Sequence, residues 1–191
     1  IHMSEYSTAQ LSVIIASRAE MAFRPGAIST EIIDFIGELA STEKGDARYA
    51  IDILHGAGMY ADSSYSQEVL PEHVRKAAAG LFQIVRPEEL KQLSRHEQLT
   101  LLGIARYFLH SRDTKATTGE AEMSYKVICE EYGESPRGHT QFWKYLNTLN
   151  GLGIISTELN ASEKGRTQLI GLPKVPAKEL ERRMVEIIGT G

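Results

Sequence analysis

The sequence has 191 residues and a net charge of −4, with 42% hydrophobic and 24% charged residues, which excludes a chain that is disordered throughout. The one cysteine, Cys129, excludes an internal disulfide framework and a cysteine-rich zinc site. No apolar run approaches the ~20 residues that span a bilayer, and the length suits one large domain or two small ones.

The opening residues Ile1-His2-Met3 are typical of a cloning remnant. We therefore expect the native segment to begin near Ser4 and to come from a longer protein. A single cysteine and no signal-peptide pattern favour a reducing, cytoplasmic setting without membrane attachment.

Apolar residues at helical spacing predict four helices in the first 85 residues. They cover about 8–23, 30–41, 46–61 and 71–85. Ser29 and Asp46 are suited to cap the second and third helices, and Pro71 suits the first position of the fourth. Four helices in this stretch predict a small helical bundle.

Arg86-Pro87 is a predicted domain junction, because a residue before proline resists helix. Three more helices are predicted at 94–111, 119–132 and 137–151, with Thr118 as the cap of the second. Two β-capable runs follow, 154–160 and 166–172, around the polar turn 161–165, and a last helix covers about 176–188.

Three helices followed by a β-hairpin is the order of elements that is typical of a winged helix-turn-helix domain. The turn from Gly133 to Pro136 has the expected length. In this architecture the third helix enters the major groove, and the hairpin is the wing. The sequence thus predicts a mainly α protein with a helical bundle at 4–85 and a winged helix at 86–191.

The predicted recognition helix has one polar and one apolar face. The polar face carries Arg137, His139, Thr140, Gln141 and Lys144. The apolar stripe consists of Phe142, Tyr145, Leu146, Leu149 and Leu152. Arginine, glutamine and threonine suit base edges or phosphates, whereas a merely solvated face is the alternative. For Trp143 we favour an anchor in the core or between domains over a contact to the sugar-phosphate backbone.

The predicted wing tip carries Lys164, Gly165, Arg166 and Thr167, where two cations flank a glycine that lets a backbone approach closely. Glu163 would repel phosphate, and an ordinary hairpin turn is the alternative. The net charge of −4 also opposes nucleic-acid binding, but residues 137–174 hold five Lys and Arg against two acidic residues.

In the first domain, Arg48 lies in the first turn of the third helix, where backbone N–H groups and a guanidinium can bind phosphate; a surface ion pair is the alternative. No phosphate-binding loop of the G-x-x-x-x-G-K-[ST] type occurs, so a nucleotide would need a partner domain. His55 and His73 lack further ligands at metal-binding spacing, so we expect neither a metal site nor a catalytic constellation.

Several spaced motifs together carry a family resemblance over nearly the whole chain. In order they are YSTAQLSVIIASRAEMAF, EKGDARYAIDILHGAGMYAD, EHVRKA, ATTGEAEMSYKVICEEYG, LNGLGIISTEL and GRT. The chain resembles the C-terminal half of the archaeal origin-recognition (Orc/Cdc-type) replication initiators. The resemblance implies that residues 4–85 are an AAA+ lid, with Arg48 as the sensor-2 arginine and Tyr6 and Arg18 bordering the nucleotide.

The resemblance also implies that residues 86–191 bind double-stranded origin DNA through the recognition helix and wing. The full-length family binds ATP or ADP with Mg, marks origins in the nucleoid and helps load the replicative helicase, with that helicase and other initiator subunits as partners. Because the ATPase core is missing, we expect this fragment to hold no cofactor and to hydrolyse nothing. Glu5 departs from the family's proline, and the DNA-facing elements carry fewer cations than expected.

Two other functions remain alternatives at this point. A winged-helix transcription regulator would form a stable homodimer on a two-fold operator, although the N-terminal bundle has no obvious dimer seam. A winged helix used only for protein contacts would fit the acidic total and the sparse basic patch. An independent enzyme is the least supported, since no complete catalytic constellation is legible.

Overall fold

The computed structural model describes residues 5–42, 45–81, 87–162, 165–173 and 175–189, and for residues 81, 87, 160–162 and 165–167 only the backbone. The chain divides into two compact units, Ile1–Phe82 and Gln83–Gly191, and each has its own hydrophobic core. Of the junction predicted at Arg86-Pro87, Arg86 lies outside the described residues, as do residues 82–85 before it.

The first unit is a helical bundle, as predicted. Its helices are α1 (Thr8–Ala22), α2 (Thr30–Thr42), α3 (Ala47–Ser63) and α4 (Pro71–Leu81). Fully buried apolar side chains from all four helices form the core, among them Leu11, Ile15, Ile36, Ile53 and Val74. Each helix therefore contributes one apolar face to a shared interior.

Capping side chains explain where these helices begin. Ser7 and Gln10 form a reciprocal capping box at the start of α1. The Ser29 hydroxyl accepts the Ile32 N–H at 3.3 Å, and an Asp46 oxygen accepts the Arg48 N–H at 2.8 Å. These bonds satisfy backbone donors that have no partner within the helix.

The second unit is a winged helix, which confirms the predicted fold class. Its helices are α5 (Pro87–Lys91), α6 (Arg95–His110), α7 (Thr118–Glu131), α8 (His139–Gly151) and α9 (Ala177–Gly189). Its strands are β1 (Lys115–Thr117), β2 (Ser156–Ser162) and β3 (Gly165–Gly171), in an antiparallel sheet of order β1-β3-β2. Helix α6 packs against α7, α8 and α9 and forms the centre of the unit.

Three local features of this unit differ from the predictions. The short elements α5 and β1 were not predicted, because five and three residues are too few to display a hydrophobic period. The N-cap of α7 is Thr117, in a capping box with Glu120, whereas the Thr118 hydroxyl donates to the Gln168 carbonyl at 3.0 Å. The hairpin strands have the predicted length, but each lies one or two residues closer to the turn than predicted, and Ser162 pairs with Gly165.

No described helix is both long and apolar enough to cross a membrane. The described ranges also contain no group of three or more His, Cys, Asp or Glu side chains that could hold a metal ion. His73 instead has a structural role: its Nδ1 accepts the Leu70 N–H at 3.1 Å, and its Nε2 lies 3.1 Å from the Ser64 hydroxyl. His55 is exposed on α3.

Candidate nucleic-acid interface

Helix α8 packs one face on the core and exposes the other. The predicted stripe of Phe142, Tyr145, Leu146 and Leu149 is buried, but Leu152 is 48% exposed, because it lies past the last helical residue. The opposite face consists of exposed polar residues, centred on Thr140, Lys144, Asn147 and Gly151. A helix held by one face in this way can enter a DNA groove with the other.

The five residues predicted on the polar face all lie exposed at the N-terminal half of α8 or just before it. They are Arg137, His139, Thr140, Gln141 and Lys144. Thr140 and Lys144 lie on the same face of the helix, and His139 and Gln141 lie on either side of that face. Gly138 is the N-cap, so the first backbone N–H groups of the helix belong to the same surface.

His139 has an acidic neighbour on α7. Its Nδ1 lies 2.6 Å from Glu122 Oε2, and Lys126 Nζ lies 2.9 Å from Glu122 Oε1. The hydrogen bonds from Lys126 and His139 hold the pKa of the Glu122 carboxyl below its usual value, so this carboxylate stays ionised. It therefore offsets part of the positive charge at the start of α8.

Arg137 is tied to two side chains beneath it. Its Nε–H donates to His96 Nε2 at 3.1 Å, and its backbone N–H donates to the Tyr125 hydroxyl at 3.0 Å. The Tyr125 hydroxyl also lies 2.9 Å from His96 Nδ1. Sequence reasoning missed His96 and Tyr125, because they lie on α6 and α7, far from Arg137 along the chain.

Two further residues of this surface were not predicted. Trp143 is 42% exposed, so a place in the core is wrong for it, and Asn147 is exposed one turn later. The signal for Asn147 was available: it lies seven and three residues after Thr140 and Lys144, on the same helical face. In nucleic-acid-binding proteins an exposed indole can stack on a base, and an exposed amide can bond to a base edge.

The wing residues are described only in part. Gly165, Arg166 and Thr167 begin β3, paired in register with Ser162, Ala161 and Asn160 of β2. Lys164 and Glu163 lie outside the described residues. The described pairing of β2 with β3 ends at Ser162 and Gly165.

In the first unit, the start of α3 lies beside the N-terminal segment. The Tyr6 N–H donates to the Gly45 carbonyl at 3.3 Å. Gly45 has φ +56°, and a Cβ on it would lie 2.5 Å from the Tyr6 carbonyl oxygen, so only glycine permits this approach. Tyr6 and Arg48 are thereby brought to the same end of the bundle, and both are exposed.

Arg18 lies on α1 and lines a cleft of about 630 Å³ together with Ile51 and His55 of α3. These two residues follow Arg48 by three and seven positions, on the same face of α3. Arg18 is exposed like Arg48. The three predicted nucleotide-bordering residues, Tyr6, Arg18 and Arg48, thus come from separate segments of one bundle.

Comparison with known proteins finds two matching family models. Residues 12–79 match the Cdc6 AAA+ ATPase-type lid domain, and residues 88–183 match the C-terminal winged helix domain of CDC6. The two matches fall in the first and second units respectively.

Three archaeal proteins illustrate the similarity. The ORC1-type DNA replication protein 2 of Saccharolobus solfataricus is 30% identical over 194 residues, covering 98% of this chain and 47% of that protein. The ORC1-type DNA replication protein of Pyrococcus abyssi is 33% identical over 174 residues, covering 91% of this chain and 41% of that protein. The crystal structure of Cdc6p from Pyrobaculum aerophilum matches with a TM-score of 0.86 and 36% identity, covering 100% of this chain and 50% of that one. The chain spans about half the length of these relatives.

Proposed function

Since this chain belongs to the Cdc6 family of DNA replication proteins, we propose that its second unit binds double-stranded DNA at replication origins through α8 and the wing. One observation carries the proposal. Arg137 just before α8 and Thr140, Gln141 and Lys144 on it are all exposed, and no acidic residue occurs from 137 to 151.

Each part of this surface has a separate task. Arg137, Lys144 and the N-terminal backbone N–H groups of α8 contact phosphates, which sets affinity and register. Thr140, Gln141 and Asn147 reach base edges in the major groove. The wing brings Arg166 to the neighbouring backbone or minor groove.

A salt series on duplex binding tests this proposal. Fluorescence anisotropy with a labelled duplex carrying a candidate origin repeat should give an affinity that falls as salt rises, because bound phosphates release counterions. Replacing Arg137 or Arg166 by alanine should weaken binding roughly tenfold and reduce the salt slope by about one, the share of one phosphate contact.

Absence of binding even at low salt would contradict direct DNA binding by these 191 residues. It would favour a winged helix that contacts a protein, or one that binds DNA only with a core domain. A two-fold symmetric site bound by a stable homodimer would instead support a transcription regulator. The proposal itself predicts that a monomer binds the duplex with an affinity that falls as salt rises, and both of these results differ from that.

For the first unit we propose a lid that contacts ATP or ADP held, with Mg, by a core domain. Arg48 lies in the first turn of α3, where the helix dipole and a guanidinium both favour phosphate. The contact between Tyr6 and Gly45 supports the proposal, since it joins a second predicted nucleotide-bordering residue to this end of the bundle. Arg18 borders the same nucleotide from α1.

Replacing Arg48 by alanine in the longer polypeptide that supplies the core is expected to lower the ATP hydrolysis rate at least tenfold. The physical reason is the loss of one charge-assisted contact to the terminal phosphates. Lys76→Ala is the matched control, since Lys76 is a partly exposed cation of the same unit, lies over the Tyr60 ring and does not line the cleft that contains Arg18. Equal rates for Arg48→Ala and wild type would remove Arg48 from the nucleotide site.

The two roles combine into one larger proposal. The chain serves as the rear half of an ATP-dependent initiator that marks origins in the nucleoid and helps load the replicative helicase, together with other initiator subunits. The two matched domains are a lid and a winged helix, so without a core we expect the fragment to hydrolyse no ATP. The archaeal ORC1-type relatives favour this role over the transcription-regulator alternative.

A further inference from the structure

A buried histidine lies directly beneath the start of α8. His96 is 9% exposed, and both of its ring nitrogens have partners: Nδ1 lies 2.9 Å from the Tyr125 hydroxyl and Nε2 lies 3.1 Å from Arg137 Nε. We propose that neutral His96 is a positioning residue for DNA binding, which holds the Arg137 guanidinium at the DNA surface and releases it on protonation. The proposal rests on the DNA-binding function proposed above.

The partners determine which nitrogen of His96 carries the proton. A guanidinium can only donate, so Nε2 must accept the Arg137 Nε–H through its lone pair. The proton of the neutral ring is then on Nδ1 and points to the Tyr125 oxygen, which also accepts the Arg137 backbone N–H. The network thus requires one tautomer, Nδ1–H, and one charge state.

Packing holds the imidazole in this position from three helices. His96 lies in the first turn of α6, and its ring stacks on Tyr145 of α8, with 6.1 Å between centroids and 6° between planes. Tyr125 of α7 meets it edge-on at a centroid distance of 6.1 Å. A ring clamped in this way positions whatever its nitrogens bind.

The surroundings favour the neutral ring. Burial lowers the pKa of His96, the positive charges of Arg137 and Arg95 lower it further, and Glu134 opposes them. The other titratable groups close to this network are Tyr125 and Cys129 on α7 and Tyr145 on α8. The first turn of α6 also carries the positive end of the helix dipole, which disfavours a cation.

Protonation of His96 is therefore expected to break the network and not to strengthen it. The folded-state pKa is lower than the unfolded value near 6.5, so the network is complete above that value and is lost as pH falls through the folded pKa. The new Nε2–H would face the Arg137 Nε–H, donor against donor and cation against cation. DNA binding through Arg137 should therefore weaken on acidification.

The bond between His96 and Arg137 can be measured without DNA. Nitrogen-15 NMR of the imidazoles in the 191-residue chain should show His96 as the Nδ1–H tautomer. Its pKa should rise in Arg137→Ala, because a nearby cation is removed, and stay unchanged in Lys91→Ala, a surface cation on α5. An Nε2–H tautomer, or an unchanged pKa in Arg137→Ala, would overturn the proposal.

The effect on DNA is then read from a pH profile of duplex binding that spans the His96 pKa measured by NMR, in a His139→Gln background that removes the second histidine near this surface. Affinity should fall roughly tenfold as pH drops through the folded pKa of His96, the loss expected for one charge-assisted contact. His96→Gln keeps an acceptor but cannot take up a proton, so its profile should be flat. Arg137→Ala should also be flat, and it serves as the second variant if His96→Gln fails to fold.

A pH-dependent affinity that persists in either variant would refute the positioning role. If the NMR result holds but no variant binds duplex at any pH, the fault lies with the proposed DNA-binding function and not with the His96–Arg137 pair. If the His139→Gln protein with His96 intact binds equally well above and below the measured pKa of His96, neutral His96 is not required for binding and the positioning proposal fails.

Discussion

Charge reversal of Lys144 to glutamate is expected to weaken duplex binding by about 2 kcal/mol, or roughly thirtyfold. Lys144 lies in the middle of the exposed face of α8, one turn after Thr140. The substitution removes a phosphate contact and sets a carboxylate against the DNA backbone, so it costs more than truncation to alanine. The side chain is exposed, and the free energy of unfolding should change by less than about 0.5 kcal/mol.

The matched control is Lys91→Glu, which makes the same change in net charge at an exposed position on α5. Both variants are compared by anisotropy at two salt concentrations. If affinity depends only on the net charge of the protein, the two variants will bind equally weakly, and α8 will lose its assigned role. A large loss in Lys144→Glu alone supports the recognition surface.

Replacing Gly103 by alanine is expected to destabilise the second unit by about 3 kcal/mol. A Cβ at this position on α6 would lie 2.9 Å from the Tyr125 nitrogen, 3.0 Å from Tyr125 Cα and 3.1 Å from the Ser124 carbonyl carbon. All three atoms are backbone, so no side chain can rotate away and the two helices must separate. Gly119→Ala is the control, since its nearest neighbour is the Thr117 hydroxyl at 4.0 Å, and alanine there should stabilise α7 slightly.

Denaturant unfolding followed by tryptophan fluorescence measures this effect. The only tryptophan of the chain, Trp143, lies on α8, so its emission reports on the second unit. Circular dichroism follows the helices of both units. Because the units have separate cores, the denaturant concentration at which the first unit unfolds should not change. An unchanged fluorescence midpoint would mean that α6 and α7 do not meet as closely as described.

The helices and the two-unit organisation follow from local rules that a single segment obeys. The apolar period of α2, the proline that begins α4 and the glycines around α8 each act within a few residues. The exposed face of α8 could be predicted for the same reason, since burial of Phe142, Leu146 and Leu149 leaves Thr140 and Lys144 on the other side. The short elements α5 and β1 were not predicted, because they are too short to show a repeating pattern of apolar residues.

The surroundings of the DNA-facing side chains depend on segments far apart in the chain. Arg137 is read from the sequence as an exposed cation, yet its Nε–H is bonded to His96, 41 residues earlier. His139 is likewise paired with Glu122, 17 residues earlier. Local patterns established the helices, the wing and the identity of the polar face. The hydrogen-bond partners of these side chains, and the protonation state of His96, depended on how α6, α7 and α8 pack together. Hydrogen bonds and burial are determined by distance in space and not by spacing along the chain.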